Sequence, residues 1–257
     1  NKALSSQLYG THDNEKLVIN WNLGYSNVDR VIPALRRVIH RKYSLNEDDP
    51  NEQYIAVIQN NGTIPTAAGN MFWSDANESI YSAIYDVEKR FQLDSFNINL
   101  KVGAMHQYRD RDFQARNFGF SKYNGGGVNF YDSLLLASPT SIFNDEHLGL
   151  MANGRGGFKL DEATNVDDSY QASSFLNAGY VQIDGNWKQK IRLNGGLRVE
   201  SYRQAFNYIE FGSNNDTNIT TTVVDFLPSA NLIVSLTPRM NIRASSYKTV
   251  SRPEFRE

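Results

Sequence analysis

The chain contains no cysteine, so disulfide staples and thiolate metal sites are excluded. It also lacks an uninterrupted apolar run of about 18 residues, the length that a membrane-spanning helix requires. Its 26 basic and 28 acidic residues leave a net charge of −2, so the charge balance gives no reason to expect a nucleic-acid partner. Aromatic residues make up 12% of the 257, which suits strands and bilayer interfaces alike.

The segment Ile191–Glu200 carries the clearest pattern, in which apolar or small residues alternate with Arg, Asn, Gly and Glu. A strand side chain changes face at every residue, so one face of this strand is predicted to contact an apolar medium and the other water. An antiparallel soluble sheet can show the same alternation over one strand. Recurrence along the chain therefore decides between the two interpretations.

The alternation recurs in about eight segments, each near the roughly 9 to 11 residues that a tilted strand needs to cross a bilayer. The predicted strands are residues 3–11, 16–28, 77–88, 95–108, 169–184, 190–207, 223–236 and 241–250. Short polar turns and long polar segments alternate between them. The short turns are 12–15, 89–94, 185–189 and 237–240, and the long segments are 29–76, 109–168 and 209–220.

Long connections on one side only are typical of outer-membrane barrels, which have short periplasmic turns and long extracellular loops. Such strands must close into a barrel, because hydrocarbon cannot pair a free backbone N–H or C=O. The predicted fold class is therefore all-β, an antiparallel transmembrane β-barrel. An eight-stranded barrel fills its lumen with its own side chains. Because the predicted inward set is rich in charge, we expect eight strands of a larger barrel. The charged members of that set are Lys101, Arg192, Arg198 and Glu200.

Four segments resemble TonB-dependent outer-membrane receptors, especially those of Bacteroidota. They are Tyr247–Glu257, Arg109–Phe120, Asp225–Leu232 and Gly195–Ser201. The resemblance extends over roughly residues 95 to 257, and the hairpin pattern carries it more weakly into the first part of the chain.

The resemblance implies a barrel of about 22 strands around a plug domain, with residues 1–257 forming part of the barrel domain. Neither a plug nor a TonB box is recognisable in the segment. Such a receptor binds a scarce nutrient, such as a metal chelate, cobalamin, a glycan or a peptide, and imports it with energy transmitted by TonB. The implied partners are outer-membrane lipid, the plug, the remaining strands, the TonB complex through regions outside the segment, and a surface lipoprotein. No cofactor and no enzymatic activity are expected.

Candidate ligand-binding residues lie on the predicted polar face and in the charged segment that follows residue 108. On the face they are Asn97, Asn99, Lys101, Arg192, Asn194, Arg198 and Glu200. In the segment they are Arg109, Arg111 and Arg116, which could bind an anion or sugar because guanidinium offers a planar fork of donors. The alternatives are a solvated lumen wall for the first set and cross-strand Arg/Asp pairing for the second.

Catalytic and metal-binding motifs are not found. The four histidines are scattered, and the cluster Asp145-Glu146-His147 fits an ordinary solvated turn better than a metal site. Two other hypotheses stay open at this point, a passive outer-membrane pore or adhesin and a secreted β-rich enzyme that acts on glycans. The length of the intact gene product separates the pore from the receptor, and dependence on detergent separates both from the enzyme.

Overall fold

A computed structural model describes residues 1–43, 53–60, 69–188, 190–213, 215–237 and 239–255. The described residues form twelve strands and three short 3-10 helices. The strands are β1 (Lys2–Asp13), β2 (Leu17–Val38), β3 (His40–Lys42), β4 (Tyr54–Ala56), β5 (Gln59–Asn60), β6 (Gly69–Leu93), β7 (Phe96–Lys122), β8 (Phe158–Glu162), β9 (Tyr170–Trp187), β10 (Ile191–Ile209), β11 (Asp216–Thr237) and β12 (Met240–Tyr247). The helices are Asp132–Leu136, Asp145–His147 and Val166–Asp168.

Eight long strands pair in the order β1-β2-β6-β7-β9-β10-β11-β12, and every neighbouring pair is antiparallel. Two short strands join them, β5 parallel and β8 antiparallel to β7, which completes a ten-stranded sheet. β3 and β4 form a separate two-stranded ribbon. The strands β1 and β12 stand at the two ends of the sheet order.

The eight predicted strands are all present, but several run much further than predicted. β2 continues to Val38, β6 starts at Gly69 and β7 reaches Lys122, where the sequence predicted loops. At 25 and 27 residues, β6 and β7 exceed the length needed to cross a bilayer. In these extensions apolar residues stand next to one another, as in Val31-Ile32 and Met71-Phe72-Trp73, or are replaced by charged ones, as in residues 109–112, so the alternation ends although the strand does not. Pro33, which has no N–H to donate, lies at a shift in the β2–β6 register.

The short turns are tighter than predicted. Asp94 and Ser95 alone separate β6 from β7, and the side chain of Asn14 accepts a hydrogen bond from the backbone N–H of Leu17 at 2.9 Å in the first turn. Two of the predicted turn residues, Gln189 and Pro238, lie outside the described residues, as do Arg256 and Glu257 of the segment that carries the resemblance. We call the end of the sheet with these turns the turn end and the opposite one the loop end.

The two faces of the sheet differ sharply in chemistry. On the apolar face, register aligns Val87, Val102, Val181 and Leu197 across four strands, and 41%, 52%, 42% and 40% of these side chains are exposed. Because about half of each side chain is exposed, each one left in water forgoes roughly half of the 1.5 to 3 kcal/mol that complete burial provides. No second protein layer among the described residues covers this face. It therefore requires an apolar surrounding.

The polar face shows the inverse of a soluble core, because its charged and polar side chains are the buried ones. Its buried members include Asp86, Ser174, Glu200 and Gln204. Buried polar groups are stable only when hydrogen-bonded or ion-paired. The partners of these side chains define the site.

A compact apolar core lies at the loop end, formed by the outer ends of β6 and β7 and by residues 53–60 and 123–168. Ile142 and Phe158 are fully buried there, and the rings of Phe120 and Phe143 stack with centroids 3.7 Å apart. The long segment predicted as loop is thus a folded cap with its own core. Among the described residues, no helix is long and apolar enough to cross a membrane.

Candidate functional site

Nine of the ten candidate residues lie on the polar face of the sheet. Asn97, Asn99, Lys101, Arg109 and Arg111 occupy alternate positions of β7. The other four polar-face candidates alternate along β10 and are Arg192, Asn194, Arg198 and Glu200. The tenth, Arg116, lies by alternation on the opposite face of β7, near the loop end. Their role in ligand binding stays a prediction.

Arg109 is the centre of one charged cluster. Its guanidinium donates to the carboxylates of Glu78 at 2.9 Å and Glu254 at 2.6 Å and lies 4.7 Å from the ring centroid of Phe255. Arg111 approaches the same Glu78 at 3.7 Å from the neighbouring strand. The cross-strand pairing considered as the alternative for these arginines is thus present in part, but the acceptor is Glu78 and not an Asp. We call these five residues the Arg109 cluster.

Glu200 is the centre of a second charged cluster. Its two carboxylate oxygens accept hydrogen bonds from Arg198 at 2.7 Å and from Arg252 at 3.0 Å. Arg252 also pairs with Asp225 at 2.9 Å and lies over the ring of Tyr202 at 4.8 Å. Burial makes these charge-assisted hydrogen bonds stronger than surface pairs and makes their loss more costly. This Glu200 cluster joins β10, β11 and the segment after β12.

That segment, Lys248–Phe255, folds back across the polar face, and we call it the strap. It starts where Lys248 N–H donates to the carbonyl of Pro228 at 3.0 Å, and Arg252 and Glu254 attach it to the two clusters. It ends with the buried ring of Phe255, which packs edge-on against Phe206 at a centroid distance of 5.6 Å. The strap therefore extends across the polar face of the sheet from the end of β12 to β7.

A third cluster surrounds Asp86 nearer the turn end. Its carboxylate accepts from Asn20 at 2.9 Å and from Tyr180 at 3.4 Å, and Lys101 Nζ lies 3.2 Å away. Tyr180 reaches Asp86 from two strands away because Gly103 lies between them, and a Cβ at Gly103 would meet the Tyr180 ring at 2.6 Å. The glycine is therefore required for close approach of a ring to the backbone.

Two of the remaining polar-face candidates have partners on the adjacent strand. Arg192 forms a two-pronged pair with Asp184 at 2.6 and 2.9 Å, and Asn194 accepts from Gln182 at 3.2 Å. Asn97 lines a cleft of about 250 Å³ at the turn end, together with Asn186.

Arg116 takes part in a separate pair at the loop end. It donates two hydrogen bonds to Glu162, at 3.0 and 3.1 Å, and Thr164 donates a third at 2.9 Å. These bonds favour the ionised carboxylate, so the pKa of Glu162 lies below its ordinary value of 4.5, with Arg116 as the main cause. The pair fixes β8 to β7 outside the membrane-spanning part of the sheet.

A cleft of about 610 Å³ opens between the loop-end segments of β7, β9, β10 and β11. It combines rings with amide and carboxylate groups, a mixture suited to a polar solute. Its lining includes Asp112, Phe113, Tyr170, Gln171, Asn207 and Tyr208. Phe113 and Tyr170 also pack around the end of the strap.

Several members of the clusters are absent from the sequence-based candidates. Glu78 and Asp86 lie in a predicted strand, and their polar-face positions follow from alternation alone. Asp225, Arg252 and Glu254 lie in segments that carry the resemblance. The sequence does not show the register between neighbouring strands. That register places Glu78 opposite Arg111 and Glu200 opposite Asp225. Among the described residues, no three His, Asp or Glu side chains are placed to hold a metal ion.

Comparison with known proteins identifies similar structures. A family described as "Outer membrane protein beta-barrel family" matches residues 144–257. No curated protein matches the chain significantly. The fold is similar to the ferric citrate transporter FecA in its unliganded form, with a TM-score of 0.55 at 11% identity over 95% of this chain and 27% of that one.

Two further structures give the same result. The siderophore receptor PiuA from Acinetobacter baumannii has a TM-score of 0.54 at 12% identity over 95% of this chain and 31% of its own. The ferric-catecholate import receptor Fiu from E. coli K12, in its open form, has a TM-score of 0.58 at 14% identity over 95% of this chain and 35% of its own. The chain thus spans between 27% and 35% of the length of these three chains.

These likenesses and the exposed apolar face establish the fold and the location. The chain is an all-β, antiparallel wall of the outer-membrane barrel type, and it resides in the bacterial outer membrane. In barrels of this type the short turns are periplasmic and the long loops extracellular.

Proposed function

We propose that the chain is part of the barrel of an outer-membrane receptor, which binds a scarce nutrient at the cell surface and imports it with TonB-transmitted energy. The observation that carries this proposal is the contrast between the two faces of the sheet. Leu193 and Leu197 are exposed on the apolar face, whereas Glu200 is buried and ion-paired on the polar face of the same strand. One face would contact lipid tails and the other a hydrated lumen.

The ends of the sheet order support a barrel larger than these eight long strands. In hydrocarbon, the outer edges of β1 and β12 must be paired, because unpaired backbone groups cost several kcal/mol each. The polar face also carries more charge than the narrow lumen of eight strands accommodates. We therefore place residues 1–257 within the barrel domain of a receptor with about 22 strands and an internal plug.

The names of the similar structures suggest a class of ligand as a hypothesis. The three similar structures are named for ferric citrate, a siderophore and a ferric catecholate. Iron chelates of this kind are anionic or rich in oxygen, and the polar face presents Arg109, Arg111 and Lys101 beside hydrogen-bonding amides. Binding and passage require no covalent chemistry, so the protein is proposed to be a transporter and not an enzyme.

The proposed partners follow from the same assignment. The plug would contact the polar face from inside, and the TonB complex would act through regions outside these residues. A surface lipoprotein could meet the folded cap at the loop end, whose exposed side chains include Leu148 and Leu150.

The test is uptake by cells that carry or lack the gene. Cells grown under iron limitation would be supplied with radioactive iron as ferric citrate or a ferric catecholate, with and without a protonophore. The proposal expects uptake that requires both the gene and the proton gradient. Uptake of neither chelate would remove iron chelates as the ligand class. Passage of small sugars into liposomes without energy would establish the passive pore, and a soluble product without detergent would exclude a barrel.

A further inference from the structure

A row of aromatic rings crosses the apolar face near the loop end. Register places Tyr25, Tyr81, Tyr108 and Phe175 side by side on four consecutive strands. Successive ring centroids are 5.0, 6.3 and 6.5 Å apart. Amphipathic rings on the lipid-facing surface gather at the level of the lipid headgroups. The row therefore marks the extracellular headgroup region.

The next position in this row is not aromatic but cationic. Phe175 pairs in register with Arg203 on β10, and Arg203 pairs with Thr222 on β11. Arg203 is exposed, and within the described ranges it takes part in no ion pair or hydrogen bond. The acidic residue in the adjacent row, Asp110, lies two strands away and accepts a hydrogen bond from Tyr108 at 3.3 Å. The other lumen and loop arginines discussed above have carboxylate partners, so Arg203 differs from them.

Arg203 borders a groove of about 440 Å³. The groove is lined by Tyr108, Ser173, Ser174, Phe175, Arg203 and Ala205. The Ser173 hydroxyl and the Arg203 guanidinium can donate to phosphate oxygens, and the rings can pack against the glycerol or sugar portion of a headgroup.

Polar side chains continue from the groove towards the turn end. His106, Asn177 and Ser201 pair in register two residues below the aromatic row, on the same face. The His106 ring lies 2.6 Å from Asn177 Oδ1 and 3.1 Å from the Tyr85 hydroxyl. Lipid tails provide no hydrogen-bond partner for such groups. The ester and sugar oxygens just below a phosphate provide hydrogen-bond acceptors.

We propose that this groove is a binding site for the phosphate-bearing headgroup of an outer-leaflet lipid, with Arg203 as the phosphate ligand. A cation on a lipid-facing surface requires a counter-charge, and in the described part of the chain no carboxylate pairs with Arg203. A membrane phosphate at the level of the aromatic row supplies it. The site is on the outside of the wall, so it is independent of any ligand in the lumen and of the proposed transport.

The test measures lipid retention by the intact protein. The wild type and Arg203→Gln would be purified in a neutral detergent and titrated with phosphatidylglycerol or with diacylglycerol, which lacks the phosphate, and bound lipid would be counted by native mass spectrometry. We expect the wild type to prefer phosphatidylglycerol and R203Q to bind it about five-fold more weakly, the value of one basic residue near a lipid surface. Arg203→Lys should retain most of the affinity.

The matched control is Arg243→Gln, which removes the same charge from the polar face of β12 and should leave lipid binding unchanged. Because Arg203 is exposed, R203Q is expected to unfold at the wild-type temperature. Equal retention of phosphatidylglycerol by the wild type and R203Q would overturn the proposal, and so would equal affinity for the two lipids. Displacement of phosphatidylglycerol by millimolar inorganic phosphate would assign the groove to soluble anions instead.

Discussion

The guanidinium of Arg252 donates a hydrogen bond to the carboxylate of Glu200 at 3.0 Å, although 52 positions separate them in the chain. This bond links the strap to the wall at a point where both side chains are mostly buried, with 22% and 11% of their surfaces exposed. A buried ion pair fixes position more than it adds stability, but the removal of one partner leaves a charge without its counter-charge.

Glu200→Gln is therefore expected to destabilise the protein by about 1 to 3 kcal/mol, because it removes charge-assisted bonds to two arginines that stay in place. The measurement is the free energy of unfolding of the intact protein in detergent. Arg192→Gln serves as the control, since the Arg192 side chain is 55% exposed and a pair of this kind contributes about 0 to 1 kcal/mol. Equal losses in the two variants would contradict the buried role of Glu200.

Phe255→Ala is expected to detach the end of the strap. The ring is 5% exposed and packs against Tyr170 and Phe206, so its truncation should cost up to about 3 to 5 kcal/mol locally. Limited proteolysis should then cut within residues 248–255 faster than in the wild type. Phe211→Ala, at a ring that is 67% exposed, should leave the cleavage rate unchanged. Equal resistance to proteolysis in both variants would show that the polar contacts of Lys248, Arg252 and Glu254 hold the strap without the ring.

Gly103→Ala tests the close approach of the Tyr180 ring. An added Cβ would lie 2.6 Å from the ring, so the ring must move and its bond to Asp86 is lost, at a cost of about 1 to 3 kcal/mol. Gly179→Ala is the matched control, because nothing lies within 4 Å of its Cβ position. The measurement is the free energy of unfolding of both variants. If G179A lowered it as much as G103A, the effect would come from backbone conformation and not from contact with the Tyr180 ring.

The pair of Arg116 and Glu162 makes a pH-dependent contribution at the loop end. The folded-state pKa of Glu162 is lowered by the bond from Arg116, so its stabilisation is present above the ordinary pKa of 4.5 and is lost as pH falls through the lower, folded pKa. The protection of the β8 amides, taken relative to their intrinsic exchange rate at each pH, should fall below pH 4.5 in the wild type. In Arg116→Gln the pKa of Glu162 should return towards 4.5, and this pH-dependent loss of protection should become smaller. An unchanged pH profile in R116Q would exclude the pair as its cause.

The fold was largely predictable because alternation is a local property of the chain. Ile191, Leu193 and Leu197 lie on the predicted apolar face, and all eight predicted strands exist. The sequence does not predict the extensions of β2 and β7 because apolar and polar residues no longer alternate there, as in Val31-Ile32 and in the charged residues 109–112. The cap was predicted as loop because its buried residues, such as Ile142 and Phe158, follow no strand or helix period.

The site was only partly predictable, because its contacts depend on register and on the path of the strap. Alternation assigned Arg198 and Glu200 to one face, which allows their mutual bond at 2.7 Å. It gave no indication that Arg252 would fold back onto Glu200 or that Glu254 would reach Arg109. A contact between residues 145 positions apart, as for Arg109 and Glu254, has no local signal in a single sequence.

If the apolar face contacts lipid, the same charged substitution should destabilise the protein more on that face than on the polar face. Val181→Arg would put a charge in the middle of the apolar face, where an arginine facing lipid near the bilayer midplane costs about 2 to 4 kcal/mol. Ser245→Arg puts the same charge at an exposed position on the polar face of β12, where water or the lumen can solvate it, and should cost well under half as much. Unfolding of the intact protein from lipid vesicles measures both. If the two substitutions destabilised the protein equally, the apolar face would not be the one that contacts lipid, and the membrane-facing side of the sheet would have to be assigned again.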